Sequence, residues 1–458
     1  WSSDVCSSDL AKALLFFGPG TLNALMYGDG GFRDAAMIGT GTATDTVNMG
    51  QSSSDAAGFG ARFVCGGSSG AYSVVAVHTQ AAFGGYMLLQ ASVTDISATG
   101  FTLTYALNDS VYGWVYPFFV PGQSFLFVAL GGDDLLVDAG TPNGSGIPTT
   151  IGFPLKGLLS RLQTLAPGGG TATGAGGGGA GQVGWMTDEG VQGCVATYLA
   201  GYTTMYAYHA VDRVTADLSA AGNVRDGQVT AMDATSFTAG LNYGGSYLAV
   251  GGDGVVTATG AFTQRATPGA QTIDLGINAE VVLFATAGTL TTDVGVVQEG
   301  AFQFNFGALT ADGMVSFWCG EINTSSAAPL GARYVSDEAL LRFGTPSGGS
   351  TSFDSIVDSA TLSETGSATL QWASSNGGDR AVLWFAIGSA PVVPPDEGGG
   401  GGAAEDCITT PPSVACWNGG AAGAVNCVTS PTGPSSADCW NGSSIDDLEI
   451  GLLGEGQP

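Results

Sequence analysis

Basic residues are scarce in this chain: 11 Lys and Arg stand against 39 Asp and Glu in 458 residues, a formal charge of −28. Phosphate backbones are held by clustered Lys and Arg, so nucleic acid is a poor partner and none is expected. Lys12 and Lys156 are the only lysines, and His78 and His209 the only histidines. Neither His has a Ser or Cys at a recognisable spacing, whereas a Ser/His or Cys/His hydrolase needs both in one site. Glycoside hydrolysis needs only two carboxylates, but no acidic cluster stands out. Isolated turn Asp residues are ordinary turn chemistry. No apolar run reaches the roughly 18–20 residues of a membrane span; ALLFFG at 13–18 has the length of a strand. Helix signals are few, with one or two turns expected at RYVSDEALLRF, 333–343.

What is abundant points to β-structure. The chain carries 76 glycines without a three-residue period, with 44% hydrophobic and 9% aromatic residues. That is apolar enough for packed cores and too rich in glycine for a helical protein. A joint occurs twice: FLFVALGGDDLLVDAG at 125–140 returns as SYLAVGGDGVVTATG at 246–260. A third copy, VLWFAIGS at 382–389, runs into a Pro/Gly stretch. AKALLFFGPGT at 11–21 aligns with AEVVLFATAGT at 279–289 and with LKGLLSRLQTL at 155–165. VTDISATGFTLTY at 93–105 aligns with VTAMDATSFTAGL at 229–241 and ATLSETGSATLQW at 360–372, and Gly193-Cys194 with Trp318-Cys319. Strand-like runs recur every 8–12 residues between Gly, Asn, Asp and Ser turns, the spacing of a sandwich.

The expected fold is therefore all-β: three tandem antiparallel, jelly-roll-like β-sandwich domains plus a small disulfide-stapled C-terminal tail. The expected boundaries are 11–132, 133–252 and 253–390, then a Pro/Gly linker at 391–406 and a Cys-rich tail at 407–458. Residues 1–10 match the translation of a sequencing adapter and are set aside. Leaders precede the second and third opening strands, at 135–153 and 255–277, and none precedes Ala11. The first repeat is thus expected to have lost its leader hairpin and to show an uncovered sheet edge. The Gly-rich segment 166–182 is expected as a loop.

Candidate sites are few. Tyr112, Trp114 and Tyr116 alternate, so they share one face of a strand; exposed they would stack on sugar rings, buried they would be core. Asp133, Asp134 and Asp253 at the Gly-Gly-Asp joints could hold Ca²⁺ as a cofactor, whose hard oxygen ligands suit acidic turns; a plain turn is the simpler alternative. Cys407, Cys416, Cys427 and Cys439 lack the close spacing of a zinc site and fit disulfides, with 407–416 and 427–439 the simplest pairing. Cys65, Cys194 and Cys319 are expected in apolar packing.

Gly152-Phe153-Pro154 before Lys156, Gln271-Thr272-Ile273, Asp233-Ala234-Thr235, Gly100-Phe101-Thr102-Leu103 and Tyr247-Leu248-Ala249-Val250-Gly251-Gly252 together resemble the repeats of a family of phage virion and bacterial surface proteins. The third repeat departs from that pattern by lacking the Gly-Phe pair at 366–367. The resemblance spans about 11–390 and implies tandem β-sandwiches on particles or cell surfaces, with no catalytic residue transferred. The expected function is a non-enzymatic structural or adhesive protein of a phage tail, fibre or head decoration, or of a bacterial surface. Its partners would be other virion or surface subunits and host glycans. Its place would be the virion or the extracellular face. The alternative is a set of accessory β modules of a secreted carbohydrate-active enzyme whose catalytic domain lies outside this sequence.

Overall fold

The computed structural model describes residues 11–18, 35–42, 46–54, 62–66, 75–78, 87–97, 100–107, 126–132, 134–140, 142–143, 146–162, 179–200, 204–218, 224–227, 229–240, 245–287, 298–299, 302–322, 330–347, 350–376, 380–390, 426–428, 438–440 and 450–453. Among the described residues there is no helix; the sheets are antiparallel and none closes into a barrel. The helix expected at 333–343 is instead two strands, Leu330–Ser336 and Leu341–Ser347, joined by a short turn. The exposed Asp337-Glu338 pair between buried Val335 and buried Ala339-Leu340 mimics a helical stripe, yet it marks the solvent side of that turn.

Residues 1–391 with 447–458 form one compact unit, and 392–446 form a second. In the second unit the strands Asn426–Val428 and Asp438–Trp440 pair, with Cys427 opposite Cys439. Cys407 and Cys416 lie outside the described residues.

Among the described residues the large unit shows three large sheets with one strand order. Its six places are named here flank, closing, opening, second, third and fourth. The first sheet runs Ile450–Leu453, Leu126–Gly131, Ala11–Gly18, Ala35–Thr42, Thr46–Ser54, Arg62–Gly66. The second runs Leu136–Gly140, Gly245–Gly251, Leu155–Leu162, Gly179–Thr187, Gln192–Ala200, Thr204–Ala210, with Gln298–Glu299 added at its far side. The third runs Val256–Thr263, Ala381–Ser389, Asn278–Ala287, Phe302–Thr310, Gly313–Ile322, Leu330–Ser336.

The agreement extends to single residues. Each opening strand has an irregularity against its closing strand at the same place, skipping Lys12, Lys156 and Glu280. The chain's two lysines therefore occupy equivalent bulges. The next residue, Ala13, Gly157 or Val281, faces Thr42, Thr187 or Thr310 on the second strand. Three places further on, Phe16, Ser160 and Phe284 face Gly39, Gly184 and Gly307. Two of these glycines have a visible cause. A Cβ on Gly184 would lie 1.7 Å from the carbonyl oxygen of Val214, and one on Gly307 would lie 2.5 Å from that of Leu340. The same register corrects the cysteine alignment: Cys194 faces Gly184, so its counterpart is Ser316 opposite Gly307, while Cys319 faces Phe304.

A smaller sheet covers the outer face of each large one. In the first repeat it is Val75–His78, Met87–Ser97 and Gly100–Leu107; in the second, Pro148–Thr150, Ser236–Ala239 and Val229–Asp233. In the third it is Gly269–Asp274, Ser367–Ser374, Ser350–Ser363 and Leu341–Ser347. Phe101 meets Phe127 edge-on at 4.8 Å, and Phe237 meets Tyr247 in the same way at 5.2 Å. In the third repeat Ala368 and Trp384 stand at the corresponding positions and belong to one buried cluster, a smaller residue on one sheet and a larger one on the other. The larger ring offsets part of the volume lost on the facing sheet.

The inner faces of all three large sheets meet in one apolar cluster. It gathers Ala13, Leu15, Val128 and Leu130 from the first, Leu159, Val183, Trp185 and Leu248 from the second, and Val281, Leu283, Phe306 and Phe385 from the third. Trp185 stacks on Phe385 with ring centres 6.0 Å apart, and its indole N–H donates to Thr259 Oγ1 at 2.6 Å. Burial on both faces accounts for the unbroken apolar runs FLFVAL and VLWFAI, where a one-sided antiparallel strand would alternate. The Gly-rich segment 166–182, expected as a loop, ends in strand: Gly179–Gln182 pair with Leu199–Ala196.

Candidate functional site

The repeated joint is where the chain passes from one large sheet to the next. After the closing strand Leu126–Gly131 the backbone turns through Gly132 at φ 110°, and Leu136–Gly140 becomes the flank strand of the second sheet. After Gly245–Gly251 it turns through Gly252 at φ 124°, and Val256–Thr263 becomes the flank of the third. Both dihedrals lie where only glycine is unstrained. At Gly252 a side chain would also collide with backbone, since a Cβ there would fall 1.7 Å from the Asp134 carbonyl oxygen. The flank of the first sheet comes from the far end of the chain. Ile450 faces Leu130 and Leu453 faces Phe127, the register that Val137 and Gly140 keep against Val250 and Tyr247. The edge of the closing strand Leu126–Gly131, expected to be uncovered, therefore carries a strand.

Two flanks are locked by a glycine opposite an aromatic ring. Gly140 faces Tyr247 and Gly260 faces Trp384; a Cβ on Gly140 would lie 2.9 Å from the Tyr247 hydroxyl, and one on Gly260 2.7 Å from Trp384 Cζ2. The Tyr247 hydroxyl donates to Asp138 Oδ2 at 2.8 Å, and the Thr259 hydroxyl donates to the Trp384 carbonyl at 2.7 Å. Asp134 and Asp253 are exposed turn residues, and Asp133 lies outside the described residues. Among the described residues no three His, Cys, Asp or Glu side chains converge as metal ligands would. Asp233 shows what such carboxylates do here: Oδ1 accepts from the Thr235 N–H at 2.9 Å and Oδ2 from the Ser236 hydroxyl at 2.8 Å. These bonds hold its carboxyl below the usual range.

Two buried groups, His209 and the Arg380 clasp, fell outside the sequence patterns, and a third, Cys194, lies where apolar packing was expected. His209, 1% exposed, sits between the second and third sheets, and its Nε2 accepts the Ala287 N–H at 3.0 Å. The ring proton is therefore on Nδ1, which has no partner among the described residues. Burial pulls the pKa of His209 down to about 4. Arg380 clasps Asp354 through two bonds, Nη1 to Oδ1 at 2.9 Å and Nη2 to Oδ2 at 2.8 Å, with its guanidinium 4.7 Å from the Phe343 ring centre. Gln264 joins this group by donating to Ser355 Oγ at 2.8 Å and Ser375 Oγ at 3.0 Å. Cys194 is fully buried among Ala196, Tyr208, Ala210 and Ala216, as expected for apolar packing, and burial pushes its thiol up. A thiol held protonated is a poor nucleophile.

Tyr112, Trp114 and Tyr116 lie outside the described residues, as do the side chains of His78, Cys65 and Cys319. Among the described residues no helix is long and apolar enough to cross a membrane. Comparison with known proteins found no matching family model, no matching curated protein and no matching solved structure.

Proposed function

We propose that the chain is a non-enzymatic structural or adhesive protein of a particle or cell surface, of the tail, fibre or head-decoration kind. Its partners are neighbouring subunits, with host glycans as candidate ligands. The observation that supports this reading best is one six-stranded register occurring three times about a shared apolar cluster. It gives a single chain the self-packing that a homotrimer gains by symmetry. A scaffold covered on both faces of each large sheet is a firm base for surface loops, the usual carriers of recognition. The buried states of His209 and Cys194 agree with packing roles for both groups.

The discriminating observation is the genomic neighbourhood. Capsid, tail or surface-assembly genes beside the coding sequence are expected. A catalytic domain continuous with this reading frame would overturn the proposal in favour of accessory modules of a carbohydrate-active enzyme. On a glycan array, joint replacement of Tyr112, Trp114 and Tyr116 by Ala in folded protein is expected to abolish binding; unchanged binding removes the stacking stripe.

A further inference from the structure

The three flank strands are delivered by different lengths of chain. Leu136–Gly140 follows the closing strand that ends at Gly131, and Val256–Thr263 follows the one that ends at Gly251. Such short joints force the strand onto the adjoining sheet of the same molecule. The third delivery differs. Residues 390–449 separate the closing strand Ala381–Ser389 from the flank Ile450–Leu453. Those residues include the second compact unit, 392–446.

The third pairing is also the least secured. Its register runs only from Ile450↔Leu130 to Leu453↔Phe127, whereas Val256–Thr263 pairs from Gly388 to Ala381. At the place of Gly140 and Gly260 it has Leu453 opposite the aromatic Phe127, so the glycine-over-ring lock is absent. The acceptor nevertheless needs cover. Phe127, Val128, Ala129 and Leu130 are all buried, and an apolar strand with a bare backbone edge is a template for pairing.

We propose that the edge of Leu126–Gly131 is a strand-acceptor site, filled in the isolated chain by its own Ile450–Leu453 and open to the Ile450–Leu453 strand of a second copy. The partner is another molecule of this chain, and the recognition is β-strand addition. Exchange conserves the contacts of the closed form, so the balance is set by concentration. A tethered strand has an effective concentration on the order of 1 mM or below. Dilute chains therefore close on themselves, and crowded chains link head to tail.

Successive strand residues direct their N–H groups to opposite sides, so replacing both Gly451 and Leu452, which face Ala129 and Val128, by Pro removes a ladder donor whichever of the two directs its N–H toward Leu126–Gly131. Wild-type chain is expected to be monomeric by light scattering at about 1 μM and to form dimers and longer species after incubation at about 1 mM. The Gly451→Pro, Leu452→Pro chain is expected to stay monomeric at both. With its acceptor vacated, it should bind a labelled peptide of residues 447–456 at least about 100-fold more tightly than wild type does. Monomeric wild type at about 1 mM overturns the exchange and needs no variant. Equal peptide affinity in both folded proteins, or wild-type-like association of the double variant, overturns the assignment of the acceptor.

Discussion

His209 shows how much a single buried contact can set. Its Nε2 is an acceptor for Ala287 N–H, so a proton added there would face another donor in an apolar setting. The folded pKa near 4 lies below the ordinary value of 6.5, so the unfolded chain binds the extra proton first. The contribution is fully present above about pH 6.5 and is lost as pH falls toward 4, amounting to about 3 kcal/mol. Urea midpoints measured from pH 7 to 4 should show His209→Gln losing less stability than wild type across that window. Parallel curves would refute the assignment. Gly184→Ala should cost about 3 kcal/mol and Gly307→Ala somewhat less, because each Cβ meets a backbone carbonyl that cannot rotate away. Calorimetry of the two variants checks the order. Arg380→Met should cost about 3 kcal/mol, toward the low end for a broken buried pair because part-exposed Asp354 can rehydrate. Denaturant titration reads that difference, and a neutral effect would show the clasp to be dispensable.

At the scale of elements, the strands were legible and their partners only partly so. The apolar runs at 13–17, 126–130 and 382–387, each ended by a Gly, announced opening and closing strands, and the first two pair with each other. The Gly-Phe-Thr and Ser-Phe-Thr matches at 100–102 and 236–238 marked equivalent strands, and Phe101 and Phe237 do meet equivalent aromatics. Side-chain pattern fixes which residues face the core, but not which sheet a strand joins. Gly140 and Gly260 could be aligned as letters, while their function as seats for Tyr247 and Trp384 follows only from register. Gly260→Val should displace Trp384 and weaken the flank Val256–Thr263, seen as faster amide exchange there than in Leu155–Leu162. The Arg380 clasp left one trace in the sequence, a rare basic residue placed directly before a buried run. His209 left none, since the donor to its Nε2 is a backbone N–H on a distant strand. The Cys194–Cys319 alignment misled because shared letters outweighed the hairpin register.

At the scale of the whole molecule, three sheets that share a core should unfold together. Val128 and Phe385 belong to the first and third sheets but to the same apolar cluster. Val128→Ala and Phe385→Ala are therefore expected to shift one common calorimetric transition, Phe385→Ala by the larger amount, about 3–5 kcal/mol. Separate transitions, each responding to one substitution, would mean independent sandwiches. The central claim is cyclic: every strand that leaves a closing strand covers the next sheet, the last one covering the first. Native-state hydrogen exchange on residues 447–456 tests this most directly. Amides within Ile450–Leu453 should be protected alongside those of Leu136–Gly140 and Val256–Thr263. Exchange of 447–456 at the rate of a free peptide, with the other two flanks still protected, would contradict the closed ring.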